Sequence, residues 1–294
     1  MKRIIYLLYI AFIAISCSEV NENCIALCGG KNLLIVDMAQ SEGDDVKTVW
    51  SWRIDDPDSG LPAEYAKWLN PLDECKFVEG RSKLLLTSST NAVVLMDIKT
   101  KKALFYAQVP MAHSADLLPG GRVAVALSTH KKGNALEIYD VKHSEKLLYR
   151  DSLYSGHGVV WNEKRQSLYA LGYTELREYK LKNWNTDSPS LERVATWTLP
   201  VKSGHDLSPV GEDHFLVSGT EGVRWFNLED GTFSDFEPLK DVMKVKAVNH
   251  RKSDGKLIYT KAEESWWTHN VYQENPQKKI TIDSINIYKV RPAW

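Results

Sequence analysis

His113-Ser-Ala-Asp-Leu-Leu118, Arg122-Val-Ala-Val-Ala-Leu127, Ala135-Leu-Glu-Ile-Tyr-Asp140 and Lys146-Leu-Leu-Tyr149 follow one another as four short apolar or alternating runs. Each run has strand length, and the stretches between them hold Gly, Pro, Asn and Ser, the residues that turn a chain. The same pattern precedes this unit in Asp73-Glu-Cys-Lys-Phe-Val78, Lys83-Leu-Leu-Leu-Thr-Ser88, Ala92-Val-Val-Leu-Met-Asp97 and Ala103-Leu-Phe-Tyr-Ala-Gln108. It returns from His157-Gly-Val-Val-Trp161 through Arg193-Val-Ala-Thr-Trp-Thr198, and again from His205-Asp-Leu through Val223-Arg-Trp-Phe-Asn227. Glu74 to His113 is 39 residues, His113 to His157 is 44, His157 to His205 is 48 and His205 to Lys246 is 41. A period near forty with four strands per unit is the spacing of propeller blades.

The predicted fold is therefore all-β: one β-propeller over 24–294 with six blades, five or seven being the alternatives. The outer units are irregular. Cys24 to Ile54 supplies only three strands, and an aromatic-rich interruption precedes Ile285-Asn-Ile-Tyr-Lys289. The long connection Asp55 to Pro71 joins units of one ring, so it reads as a loop and a candidate lid rather than a domain boundary.

Hydrophobic residues at 43% and charged residues at 26% fit a chain with a packed core and argue against a disordered or multi-span membrane protein. Lys and Arg number 37 against 38 Asp and Glu, so there is no basic field to attract nucleic acid. No GxGxxG, Walker, GxSxG or HExxH pattern occurs, so neither a nucleotide cofactor nor serine or zincin chemistry is expected.

Met1-Lys-Arg3 followed by the apolar run Ile4 to Ile15 has the layout of a secretory signal. Ala14-Ile15-Ser16-Cys17 resembles a bacterial lipobox, which makes residues 1–16 a signal peptide, Cys17 the lipidated residue and 17–23 a tether. The expected location is the bacterial cell envelope, anchored through lipid to the outer membrane. Cys24 and Cys28 lie too far apart along one strand to bridge each other, so at most Cys75 pairs with one of them. Small buried thiols are the simpler expectation.

In a propeller the first strand of each blade lines the central channel, so equivalent positions converge at one mouth although they lie about forty residues apart. Those positions hold Glu74 and Lys76, His113, His157, His205 with Asp206, and Lys246. Three of the eight histidines occupy the same place in the repeat. His113, His157 and His205, with Glu74 or Asp206, are candidate ligands for a divalent metal such as Mn, Zn or Ca. Alternatively, His113, His157, His205 and Glu74 are the catalytic groups, with Lys76 and Lys246 meeting an anionic substrate. Small neighbours such as Gly156, Gly158 and Gly204 would leave a ligand room to approach. Trp266, Trp267 and His269 belong to an insertion, Glu263 to His269, expected to cover the mouth and contact substrate.

The phrases Asp73-Glu-Cys-Lys76, Ala112-His-Ser-Ala-Asp-Leu-Leu-Pro119, Gly156-His-Gly-Val-Val-Trp161, Gly204-His-Asp-Leu207, Val245-Lys246 and Trp266-Trp-Thr268 together resemble exported bacterial β-propellers classed as domain of unknown function 6528. The resemblance runs from about Asp37 to the end and implies the fold, with no settled activity. At fold level the chain also looks like the propeller polysaccharide lyases that act on uronate-containing glycans. The functional expectation is thus an oligo- or polysaccharide ligand, with lyase or hydrolase action on acidic glycans. A non-catalytic glycan-binding or protein-interaction scaffold is the alternative.

Overall fold

Lys83-Leu-Leu-Leu and Ala92-Val-Val-Leu-Met are unbroken apolar runs because both faces of their sheet are covered. Leu84 and Leu86 pack toward the preceding blade, with Cys24, Ala26 and Leu33, while Leu85 packs toward the following one, with Ala115, Val123 and Val125. Side chains that alternate across a strand thereby feed two different cores. The computed structural model describes residues 20–294. The expected signal peptide, Cys17 and residues 18–19 of the expected tether lie outside the described residues.

Six four-stranded antiparallel sheets form the ring, and six hydrophobic clusters lie one at each junction between neighbouring sheets. The fold is a six-bladed β-propeller. Five blades are built from consecutive strands whose inner members are Glu74–Val78, Ala112–Leu118, Gly158–Asn162, Asp206–Val210 and Val245–Arg251. The remaining blade resolves the irregular ends. Cys24–Gly29, Asn32–Asp37 and Thr48–Arg53 are its three outer strands, and Lys289–Pro292 enters from the far end of the sequence as the innermost one. Ile25 pairs with Pro292 and Cys28 with Lys289, so the first and last strands lock the ring.

The connection across residues 55–71 is not a lid. It contains a 3-10 turn, Pro57–Ser59, and a single helical turn, Tyr65–Trp68. Tyr65 and Leu69 are fully buried against Leu33, Leu84 and Leu86, and Tyr65 meets the edges of Trp68 and Tyr106 at 5.0 Å each. This apolar anchoring pins the segment between two blades. Cys24, Cys28 and Cys75 are free and buried, as expected for small core residues.

At the middle of the channel the closing strand supplies two cations to two carboxylates from other blades. The Arg291 guanidinium donates to both oxygens of Glu74, at 2.7 and 2.8 Å, and to both oxygens of Asp206, at 2.5 and 2.9 Å. The Lys289 ammonium lies 3.2 Å from Glu74 and 3.3 Å from Asp206. Burial pushes both carboxyls toward the neutral form, but Arg291 and Lys289 outweigh it and hold each below its usual range. Removing one member of a buried ionic cluster leaves an uncompensated charge, at a cost of about 3–5 kcal/mol. Arg291→Met should therefore lower the unfolding free energy in urea by about that amount at neutral pH. A loss below about 1 kcal/mol would mean that the cluster does not hold the ring.

Candidate functional site

The sequence places a polar residue at the head of every inner strand, and a repeated backbone irregularity turns all six to the same mouth. Asp73 donates its N–H to the carbonyl of Thr87, the residue that already pairs with Glu74. His157 and Gly158 share Leu171, His205 and Asp206 share Ser218, and Tyr288 and Lys289 share Cys28 in the same way. In the other two blades the register slips at His113 and at Lys246. Two residues opposing one is a β-bulge, which bends the strand and re-aims a side chain. Met111, Ser155, Ser203 and Lys244, each two residues before a head residue, have positive φ and set up this turn.

The resulting tier closes on itself. Ring centroids of His113 and His157 are 4.5 Å apart and those of His157 and His205 are 5.5 Å apart. Lys246 Nζ is 3.2 Å from His205 Nε2 and lies over the Tyr288 ring at 5.9 Å, and Tyr288 meets His113 at 6.4 Å. Asp73 lines a recess of about 490 Å³, including its opening to solvent, with Tyr288, Trp266 and Trp267. The recess adjoins the tier through Tyr288.

Hydrogen bonding fixes the imidazole roles. His113 Nδ1 is 3.0 Å from the Met111 carbonyl and His157 Nδ1 is 2.8 Å from the Ser155 carbonyl, so in both rings Nδ1 carries the proton and Nε2 keeps its lone pair. In His205 the lone pair on Nε2 accepts from Lys246, which leaves a buried, unpartnered Nδ1. Burial lowers His113 to about 4. Burial, with Lys246 and Lys289 close by, lowers His205 to about 3. His157 is pushed well below its usual range by burial and by the other two rings. All three imidazoles are neutral at pH 7. Burial, then Lys289 and Lys244, brings Lys246 down to about 8, and burial raises Asp73 to about 6.

Among the residues singled out in the sequence, His113, His157, His205 and Lys246 stand together. Glu74 and Asp206 lie one tier deeper, fully buried, with every carboxylate oxygen bound to Arg291 or Lys289. They form the floor of the site and have no proton to give. Lys76 is not brought to the histidines. It sits beyond that floor, donating to the Val159 carbonyl at 2.8 Å and lying 3.4 Å from Asp116. Trp266 is exposed and Trp267 half-buried on the rim. His269 does not line the recess. Its Nδ1 engages the carbonyls of Ile282 and Ile285, at 3.3 and 2.9 Å, and its ring packs against Trp267, tying the insertion to the chain behind it.

The glycines beside the histidines do not open room for a ligand. A Cβ on Gly158 would stand 2.7 Å from Leu207 Cβ, and one on Gly204 would stand 2.7 Å from the Gly172 carbonyl oxygen. Their smallness lets neighbouring blades approach. As for the expected metal, no group of three or more His, Cys, Asp or Glu among the described residues is arranged to hold one. An ion on all three rings would also have to displace the Lys246 ammonium from His205.

Sequence reasoning missed Asp73, Tyr288, Lys289 and Arg291. A signal existed for the last pair: one period of 43 residues past Lys246 falls on Lys289. The irregular spacing of the interruption hid it.

A family model described as "Family of unknown function (DUF6528)" matches residues 15–294. The chain belongs to that family. Among solved structures, this DUF6528 member is similar to a protein of unknown function from Bacteroides caccae. The TM-score is 0.60 at 13% identity, covering 92% of this chain and 98% of the other, a likeness of fold alone. A search of the curated proteins finds no match.

The depressed imidazoles give a pH signature. An unfolded histidine takes up a proton near 6.5, whereas His113 in the folded protein waits until about 4. Between these values the unfolded chain binds more protons, so stability falls as pH falls. Asp73 acts in the opposite sense between 3.8 and about 6, offsetting one histidine of the three. Resistance to urea should therefore fall steadily from pH 6.5 to pH 4.5, and the slope should flatten in a His113→Gln, His157→Gln double variant. An equally steep slope in that variant would refute the neutral tier.

Proposed function

We propose that the histidine tier binds the carboxylate of an acidic saccharide, as an envelope protein that captures or processes uronate-containing glycans. The observation that carries this reading is Lys246. It is 8% exposed, yet no carboxylate lies within ion-pair distance of it among the described residues, and its only polar side-chain contact is the acceptor nitrogen of His205. A buried cation without a counter-ion is costly, and an incoming anion supplies what it lacks. The free Nε2 lone pairs of His113 and His157 accept sugar hydroxyls, and Trp266 with Trp267 offers indole faces at the rim on which a pyranose can stack.

If the ligand is processed, Lys246 is the group suited to move a proton, as its neutral amine. Lys246 lies near 8, close to neutrality, and its ammonium is already hydrogen-bonded to an unprotonated imidazole nitrogen. Elimination next to the carboxylate would pass the proton on the adjacent carbon to the Lys246 amine, form a carbon–carbon double bond and break the β carbon–oxygen bond, with the departing oxygen taking the proton back from the ammonium so formed. His113 and His205 at about 4 and about 3 are weak bases, which favours binding roles for their rings.

Titration calorimetry with oligouronates should give binding that weakens as salt rises. Lys246→Met should reduce it about tenfold or more, the scale of one lost charge-assisted contact. Ultraviolet absorbance of an unsaturated product would separate elimination from capture. Retention of full affinity by Lys246→Met would overturn the reading. The pattern of residues 1–17 supports lipid anchoring in the envelope, where such polymers are met. Palmitate labelling should mark the wild-type chain and spare Cys17→Ser, and label on both would remove the anchor.

A further inference from the structure

The other end of the channel carries a second cavity, and its chemistry differs from that of the histidine tier. Two residues further along each inner strand from the floor of the first site lie Lys76, Asp116, Val160, Ser208, Asn249 and Arg291, one from each blade. Together they form the base of a cavity of about 770 Å³, including its opening to solvent. The cluster of Glu74, Asp206, Lys289 and Arg291 fills the channel between the two mouths, so a ligand at one does not reach the other.

Every charged side chain lining this second mouth is paired. Lys76 lies 3.4 Å from Asp116, whose other contacts are the backbone N–H groups of Trp161 at 2.9 Å and Leu117 at 3.0 Å. Arg291 is spent on Glu74 and Asp206. The Asn249 amide donates to the Val290 and Ile258 carbonyls at 3.0 and 3.3 Å, leaving its oxygen 3.5 Å from Arg291. Nothing corresponds to the unpartnered Lys246 of the opposite mouth. The Ser208 hydroxyl, the Asn249 oxygen and the outer edge of the Lys76–Asp116 pair present a mixed set of donors and acceptors without net charge. Around them stand Phe77, Trp161 and Trp294. The Trp161 indole N–H is held by Glu163 at 2.6 Å, and the Arg251 guanidinium lies 4.8 Å from the Trp294 ring, so both indoles are fixed in place.

We propose that this mouth is a second ligand site, selective for an uncharged, hydroxyl-rich ring: a neutral saccharide, bound by the mixed polar base and stacked on Trp161 and Trp294. An aromatic rim over a few convergent polar groups is the construction that recognises sugars, and a paired base gives no preference for an anion. The inference does not rest on the reading of the histidine tier. The two sites differ in the sign of their demand: the first needs negative charge, and the second excludes it because a carboxylate would face Asp116 with no free cation.

The test is titration calorimetry of the purified full chain with glucose, galactose, mannose, xylose and their neutral trisaccharides, at low and high salt. At least one of these sugars should bind with millimolar or tighter affinity, unchanged by salt. Trp294→Ala and Ser208→Val should each weaken that binding about tenfold, while Lys246→Met leaves it intact. Trp294 lies beyond the hydrogen-bonded part of the closing strand, so its replacement leaves the ring in place. Absence of binding up to about 20 mM across the panel would overturn the proposal. So would affinity that survives both substitutions, or affinity that disappears in Lys246→Met.

Discussion

Two carboxylates and two cations in the middle of the channel are the contact on which the rest of the molecule depends. Glu74 and Asp206 come from blades on different sides of the ring, and Lys289 and Arg291 come from the strand that closes it. Hydrophobic packing between neighbouring sheets holds each pair of blades together, but packing is non-directional and acts only between neighbours. The ionic cluster links strands that never share a sheet, and its bidentate geometry fixes their relative height. Because it fills the bore with charge, it also divides the channel into two compartments with different electrostatics.

The upper compartment owes its chemistry to the repeated bulge. A regular strand would send alternate residues to the channel and to the sheet, and the head residues would splay. An extra residue in each blade brings Asp73, His113, His157, His205, Lys246 and Tyr288 into one tier, where the shared burial of the rings and the nearby ammonium groups keep the imidazoles neutral. Lys246 is then left as a cation whose only polar side-chain neighbour is neutral. The asymmetry between the two mouths follows from pairing: Lys76 meets Asp116 at one, whereas Lys246 meets a neutral imidazole at the other.

Much of this was legible in the sequence. The near-regular return of strand-length runs fixed the architecture, and the matched places of His113, His157 and His205 in the repeat foretold their convergence. Two things were not legible. A side chain two residues further down a strand sits at a different depth, so Lys76, close to Glu74 in sequence, belongs to the opposite mouth. The partners of Glu74 and Asp206 lie beyond an interruption that breaks the period, and a carboxylate read without its counter-ions looks like a catalytic acid when it is a cross-link. The glycines around the histidines misled for a related reason: spacing reveals that a position is tight without saying which neighbour makes it so.

Closure by Lys289–Pro292 also governs when the molecule can form. Glu74 and Asp206 are synthesised long before the residues that neutralise them, so a partly made ring would bring two bare acids toward one axis and be pushed apart by their repulsion. The centre of the ring is therefore neutralised only when the closing strand is in place. In this arrangement the tail acts as the latch of the ring.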